Sequence, residues 1–194
     1  MKQPRNPEVL VLLSGGIDST AALHFYVTLG RPVVAMFVDY GQAAYEPERR
    51  AAESVSAHFG VTLLERKLLG SVPKSEGEVL MRNAYLIALA AMERPETVWG
   101  IAAGIHGGTP YPDCSETFAK LIQEIARLQT RPVEVLLPFL SWNKSDILSY
   151  CEAQGVPGCL TYSCERGEVP PCGECISCRD RKEFDARTAI KTNT

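Results

Sequence analysis

Two groups of residues in this 194-residue chain have the types and spacing to do chemistry. The first is Ser14-Gly15-Gly16-Ile17-Asp18-Ser19-Thr20, directly after an apolar run. Two glycines let a backbone approach an anion closely, and Ser14, Ser19 and Thr20 supply hydroxyls. A helix starting here would add its N-terminal N–H groups and positive dipole end. Together these make a phosphate cradle. A plain strand-to-helix turn capped by Asp18 is the bland alternative. The stretch has no G-x-G-x-x-G, and no Gly-Lys-Ser/Thr follows, so it is neither a dinucleotide fingerprint nor a Walker A loop. The second group is Cys164, Cys172, Cys175 and Cys178, spaced C-x7-C-x2-C-x2-C. Four thiolates on a tight knuckle suit tetrahedral Zn²⁺, and a closed set of four points to a structural ion rather than a catalytic one. An iron–sulfur cluster is the lesser alternative.

The elements that must position these groups follow from hydrophobic periodicity. Continuous apolar runs at Glu8–Leu13 and Val33–Val38 read as strands buried on both faces, and Val61–Glu65, Thr97–Ala103 and Val133–Leu137 read as three more. Between them lie helical patterns. The first carries Ala22, Phe25, Tyr26 and Leu29 and stops at Gly30; the next run from Ala43 to Phe59 and from Val79 to Met92. A fourth from Ser115 carries Phe118, Leu121, Ile122, Ile125 and Leu128, and a fifth spans Asn143 to Gln154. Alternation of this kind predicts an α/β fold with a five-stranded parallel sheet, and right-handed crossovers favour the order 3-2-1-4-5. Ligands in such sheets bind beyond the carboxyl ends of the strands. The division expected is an α/β domain over 1–158 with a C-terminal four-cysteine zinc module over 159–194 packed on it.

The loops after the strands carry further candidates. Asp39-Tyr40-Gly41-Gln42 follows the second strand, and Asp39 could order a metal or a loop, or cap a helix. Arg82-Asn83 sits near the start of a helix. Gly104 to Cys114 is rich in Gly and Pro and reads as an irregular loop. Its His106 is more in keeping with a loop hydrogen bond than with catalysis. After the fifth strand, Asn143 and Asp146 have N-cap and N3 spacing, with Lys144 between them.

Ser14-Gly15-Gly16-Ile17-Asp18-Ser19 resembles the PP-loop of the ATP pyrophosphatase superfamily, whose fold is adenine nucleotide alpha-hydrolase-like. Asp39-Tyr40-Gly41-Gln42, Arg82-Asn83, Tyr111-Pro112-Asp113-Cys114 and the cysteine module together resemble the 7-cyano-7-deazaguanine synthase family. The resemblance implies that Ser14, Gly15, Gly16, Asp18, Ser19, Thr20, Asp39 and Gln42 bind ATP, with Asp18 helping to place Mg²⁺. It implies that Arg82 meets phosphate or the activated carboxylate, and that Lys144 points at phosphate. Asp18, Arg82 and Lys144 would then be the catalytic set. It assigns Arg82, Asn83, Tyr111, Pro112, Asp113 and Cys114 to the deazaguanine pocket, where a carboxylate suits the paired N–H groups of a guanine-like edge. The implied reaction adenylates 7-carboxy-7-deazaguanine with ATP and aminates it with ammonia to the nitrile preQ0. Homodimers are common in that family.

The chain departs from the family pattern at four places. Met81 stands where Gly-Arg-Asn has glycine, His106-Gly107-Gly108-Thr109-Pro110 replaces the usual residues before Tyr-Pro-Asp-Cys, and Ser115 replaces an Arg. The connection from Arg66 to Leu80 is short. A more open pocket would admit a larger amine, such as a protein terminus, and stop at the amide.

Composition sets the remaining expectations. A net charge of −3 disfavours bulk nucleic-acid binding. No apolar run is long enough for a membrane span, and Met1 to Pro7 lacks an apolar signal core. An odd count of 7 cysteines, clustered at one end, fits metal binding in a reducing cytoplasm better than disulfides. Cys151 is expected in the core and Cys159 has no role assigned. A tRNA-modifying PP-loop enzyme and a non-catalytic nucleotide-binding module are the alternatives from other classes.

Overall fold

Val9, Leu10 and Val11 are all fully buried, as the middle strand of a doubly covered sheet requires. They belong to β1 (Glu8–Leu12), which pairs in parallel with β2 (Val33–Asp39) on one side and β4 (Val98–Ala102) on the other. β3 (Thr62–Lys67) pairs with β2 and β5 (Glu134–Leu136) with β4, both in parallel. The strand order is β3-β2-β1-β4-β5, the 3-2-1-4-5 order expected from the sequence. The computed structural model describes residues 7–68 and 79–191. The leader reading of Met1 to Pro7 and the Arg66–Leu80 connection lie largely outside the described residues.

Successive side chains of a strand point to opposite faces, so each central strand feeds two cores. Val9, Val11, Leu13, Ala35 and Phe37 pack with Leu23 of α1 (Ile17–Thr28) and Val55 of α2 (Tyr45–Phe59). Ile147 and Leu148 of α5 (Lys144–Gln154) join the same cluster. Leu10, Val34, Met36 and Ile101 face the other way, against Ala90 of α3 (Arg82–Glu93) and Ala126 of α4 (Glu116–Arg127). The sheet's carboxyl edge is therefore framed by the first turns of α1, α3 and α5.

The structure differs from the periodicity reading in a few places. α3 begins at Arg82 rather than Val79, because Met81 is left-handed (φ 61°) and cannot continue a helix. On α4, Ile122 and Ala126 are buried, whereas Leu121, Ile125 and Leu128 are exposed: the apolar stripe is wider than the strip of sheet beneath it. Leu29 is exposed as the C-cap of α1. A sixth helix, α6 (Ile176–Lys191), was not expected at all. Its surface is polar nearly all round, so it has no periodic signal. Phe184 anchors it in the α1–α5 core, where a side chain at Gly158 would strike the Phe184 ring. Arg181 adds hydrogen bonds to the backbone and side chain of Thr161. Cys151 is buried as expected.

Candidate active site

Gly15 turns the chain at φ 81°, and a Cβ there would come within 2.7 Å of the Glu48 carbonyl oxygen. Both observations require glycine. Ser14 Oγ lies 3.1 Å from Ser19 Oγ, and Ser19 Oγ donates to the Gly16 carbonyl at 3.0 Å. Gly16 is the N-cap of α1, and no side chain caps that end. The capping role offered for Asp18 is therefore not the one it plays. The first-turn N–H groups of α1 remain available to an anion. β4 ends against this loop: a Cβ at Gly104 would sit 2.5 Å from the Asp18 carbonyl oxygen.

Asp18 faces Lys144 across the loop. Lys144 Nζ donates to Oδ1 at 2.7 Å and to Oδ2 at 2.8 Å. Asp180 of α6 approaches the same ammonium at 3.4 Å, and His106 Nε2 lies 3.9 Å from Asp18 Oδ2. Burial works against the lysine's charge, but Asp18 and Asp180 outweigh it and raise its pKa. Lys144 is thus a fixed cation at the mouth of the anion loop. It stands at N1 of α5, whose start is held by the expected capping box between Asn143 and Asp146. Burial lowers the His106 pKa, keeping the ring neutral, and its Nδ1 accepts from the Gly108 N–H at 3.3 Å.

The loop after β2 supplies a second cluster. Gln42 Oε1 accepts from the Tyr40 N–H at 2.9 Å, while its Nε2 donates to the Val38 carbonyl and to Glu48 Oε2, each at 3.1 Å. Burial pushes the Glu48 carboxyl up to about 7, against the opposing pull of Gln42 and Arg82. Tyr40 has its hydroxyl beside Arg82, and its pKa is raised chiefly by burial.

The third cluster joins α3 to the loop after β4. Asp113 Oδ2 accepts from the Asn83 backbone N–H at 3.3 Å, so Asp113 caps α3 rather than the following helix. Ser115 caps α4 by accepting from Phe118. Asn83 Nδ2 donates to the Asp113 carbonyl at 3.3 Å and approaches Cys114 Sγ at 3.8 Å. Asn83 and Cys114 are both buried here.

A single cavity of about 460 Å³ connects the three clusters, a size that suits a nucleotide-scale ligand. Ser14, Gly16, Asp18, Ser19 and Lys144 line one side. Gln42, Glu48, Arg82, Asn83, Tyr111, Asp113 and Cys114 line the rest. Four residues expected at the site do not line it. Gly15 shapes the loop from behind. Thr20 is fully buried with its hydroxyl unpartnered among the described residues, because the helical turn rotates it into the core. Asp39 accepts from the Gly41 N–H at 3.0 Å and pairs with Lys67 at 3.2 Å, so it shapes its own loop. Pro112 is exposed and starts a short 3-10 turn. Glu48 and Asp180 line the cavity without having carried a motif signal. Glu48 lies six residues beyond Gln42, on a helix whose inward face the sequence shows only through its apolar positions. Asp180 rides on the unforeseen α6.

The four module cysteines converge. Their Sγ atoms all lie within 4.8 Å of one another, and Cys172 and Cys178 are 3.8 Å apart. A tetrahedral ion with Zn–S bonds of about 2.3 Å needs sulfurs about 3.8 Å apart, so the set could hold one metal ion. Thiolates bound to separate irons of a cluster stand farther apart. Sulfur also receives backbone donors: Cys172 N–H on Cys164 at 3.4 Å, and Glu174 and Cys175 N–H on Cys172 at 3.5 Å. Burial disfavours the Cys164 thiolate, but surrounding backbone N–H groups prevail and bring its pKa down to about 6. The module touches the anion loop directly, through a Tyr162 N–H bond to the Gly15 carbonyl at 2.9 Å. Cys159 is exposed and outside the cluster.

Residues 8–75 and 75–187 match the family model described as queuosine biosynthesis protein QueC. A 7-cyano-7-deazaguanine synthase of Sulfurihydrogenibium sp. (strain YO3AOP1) is 33% identical over 98% of this chain and 99% of the relative. The synthase of Aquifex aeolicus (strain VF5) is also 33% identical, over 90% of this chain and 94% of its own length. Among solved structures, the U34-tRNA thiolase NcsA from Methanococcus maripaludis with its [4Fe-4S] cluster superposes with a TM-score of 0.54 at 15% identity, over 98% of this chain and 68% of that one. NMN synthetase from Francisella tularensis gives 0.53 at 14% identity, over 98% and 83%. At such identities the structural likeness speaks to the fold alone.

Proposed function

The chain belongs to the family of queuosine biosynthesis protein QueC, and on that premise we propose that it is an ATP-dependent synthase. In this reading it converts 7-carboxy-7-deazaguanine and ammonia to 7-cyano-7-deazaguanine in a reducing cytoplasm. The observation that carries the reading is the convergence on one cavity of the uncapped α1 loop, the fixed Lys144 cation and the Asn83–Asp113–Cys114 wall.

The division of labour follows from that layout. The substrate carboxylate attacks the α-phosphorus of ATP and pyrophosphate leaves. Negative charge then builds up where the α1 N–H groups, the Ser14 and Ser19 hydroxyls and Lys144 point, a preorganised arrangement that lowers the barrier. Arg82 faces the same space from α3 and neutralises the reacting carboxylate and phosphate. Asp113 uses Oδ2 to hold α3, and its Oδ1, which accepts from the Cys114 thiol at 3.8 Å, would also accept from an N–H edge of the base. Ammonia displaces AMP to give the amide, and a second adenylation and loss of AMP gives the nitrile. Asp18 accepts from Lys144 on both oxygens and would help hold Mg²⁺ through their remaining lone pairs, an ion that would supply charge neutralisation on the phosphates. The four-cysteine set fits structural Zn²⁺ that holds residues 162–180 against the loop.

The test is incubation with 7-carboxy-7-deazaguanine, ATP, Mg²⁺ and ammonium, with products identified by mass. Nitrile is expected, together with AMP and pyrophosphate. Absence of carboxylate-dependent pyrophosphate release would refute the assignment. One observation favours a second reading, in which a larger amine such as a protein terminus is acylated and the reaction stops at the amide. The two segments of the family match meet at residue 75, inside the short Arg66–Leu80 connection. Amide without nitrile would favour this alternative.

A further inference from the structure

The attacking amine must shed a proton, and the activity proposed above names no group to receive it. Ammonium at neutral pH is not a nucleophile. Once the nitrogen has bonded to the acyl carbon and the bond to AMP has broken, a proton must also leave the nitrogen. A basic side chain within the cavity serves this purpose best.

Most titratable groups that line the cavity are already committed. Asp18 and Asp180 hold Lys144. His106 receives the Gly108 N–H on Nδ1, so its other nitrogen carries a proton and cannot accept one. Asp113 takes the Asn83 N–H on Oδ2 and the Cys114 thiol on Oδ1. Glu165 accepts both the N–H and the hydroxyl of Ser177. Glu48 is different: Oε2 takes the Gln42 amide, and Oε1 has no hydrogen bond among the described residues.

We propose that Glu48 is the proton acceptor for the attacking amine and that Gln42 is the residue that positions it. Gln42 can be turned only one way. Its Oε1 must face the Tyr40 N–H and its Nε2 must face the Val38 carbonyl, so the remaining Nε2 hydrogen is directed at Glu48. Glu48 Oε1 is thereby left free at the cavity wall. The groups that bear on it are Tyr40 from the loop after β2, Arg82 from α3 and Tyr162 from the module. Burial keeps the carboxyl near neutrality, where it can both take and release a proton in one turnover. The transfer is balanced: the amine nitrogen bonds to the acyl carbon, the acyl–oxygen bond to AMP breaks, and the proton moves from nitrogen to Glu48 and then to solvent.

This inference rests on the adenylating reading, and the experiment separates the two. Carboxylate-dependent ATP–pyrophosphate exchange reports adenylation, and amide plus nitrile yield reports amine transfer. In Glu48→Gln, exchange should stay within about threefold of wild type while amine-dependent product falls about 100-fold or more. Glu48→Asp should recover part of the product. Product formed at the wild-type rate by Glu48→Gln would overturn the proposal. So would parallel loss of exchange and product in both variants, which would put Glu48 on ATP or in the fold. Wild-type protein with no exchange would refute the adenylating reading itself, and this inference with it.

Discussion

Lys144 Nζ reaches both carboxylate oxygens of Asp18, at 2.7 and 2.8 Å, across 126 residues of chain. The bond ties the first turn of α5 to the first turn of α1 and sets a cation beside an uncapped helix N-terminus. Asp180, at 3.4 Å, holds the same ammonium from α6. Three elements distant in sequence thus agree on the position of one charge.

Replacing Lys144 by Ala should remove that charge from the place where pyrophosphate would leave in the proposed reaction. Carboxylate-dependent ATP–pyrophosphate exchange should fall about 100- to 1,000-fold, as for loss of a preorganised electrostatic contact. The melting temperature should shift only a few degrees, because Asp18 and Asp180 both reach solvent in the cavity. Undiminished exchange would exclude the role.

Asp113→Asn separates a carboxylate from its cap. The Asn oxygen can still accept from the Asn83 N–H, so urea unfolding should change by under about 1 kcal/mol. With that oxygen kept on the cap, the variant turns an NH2 donor toward the donor edge of the base in place of a carboxylate oxygen, and KM for the deazaguanine should rise at least tenfold. An unchanged KM would remove Asp113 from the substrate.

Met81 stands at φ 61°, the only left-handed residue other than glycine among the described residues, and its side chain is 70% exposed. Left-handed geometry costs a residue with a Cβ about 1–2 kcal/mol, and glycine gives part of that back as chain entropy. Met81→Gly should therefore stabilise the protein by about 0.5–1 kcal/mol in urea. Met81→Ala should not, and a stabilising alanine would point to a side-chain cause instead.

Metal analysis should find one tightly held zinc per chain and no visible iron–sulfur absorption. Stripping it with a chelator, or replacing Cys164 by Ser, should lower thermal stability. Either change should also weaken ATP binding through the Tyr162–Gly15 hydrogen bond. ATP affinity unaffected by metal loss would uncouple the module from the loop.

Glu48 makes stability depend on pH. Its folded pKa of about 7 lies above the ordinary 4.5, so the folded state holds this proton more tightly than the unfolded chain does. The stabilisation is complete below about pH 4.5 and is lost as pH rises through 7, with a size on the order of 1–3 kcal/mol. Unfolding free energies at pH 5 and pH 8 should fall less in Glu48→Gln than in wild type. An equal fall in both would contradict the shift.

The sequence was a good guide where periodicity and spacing carry the information. Five apolar runs announced five parallel strands in the observed order, and C-x7-C-x2-C-x2-C announced four sulfurs that converge. It was a poorer guide to which member of a motif faces the ligand. Thr20 and Asp39 belong to good motifs, yet one is turned into the core and the other binds its own loop. A one-residue step on a helix rotates a side chain by about 100°, and motif spacing alone does not say which way the turn begins.

Local sequence determined the strands, the glycine turn at Gly15, the capping box at Asn143 and the cysteine knuckle, because each depends on residues within a few positions of one another. Tertiary structure alone decided the rest. Asp180 reaches Lys144 only because Phe184 packs a polar helix onto the core. Asp113 caps α3 only because the loop after β4 passes over that helix end. Glu48 has its raised pKa only because folding removes it from water, against the opposing pull of Gln42 and Arg82. Burial and charge proximity belong to distance in space, and only the folded chain brings such separated residues within reach.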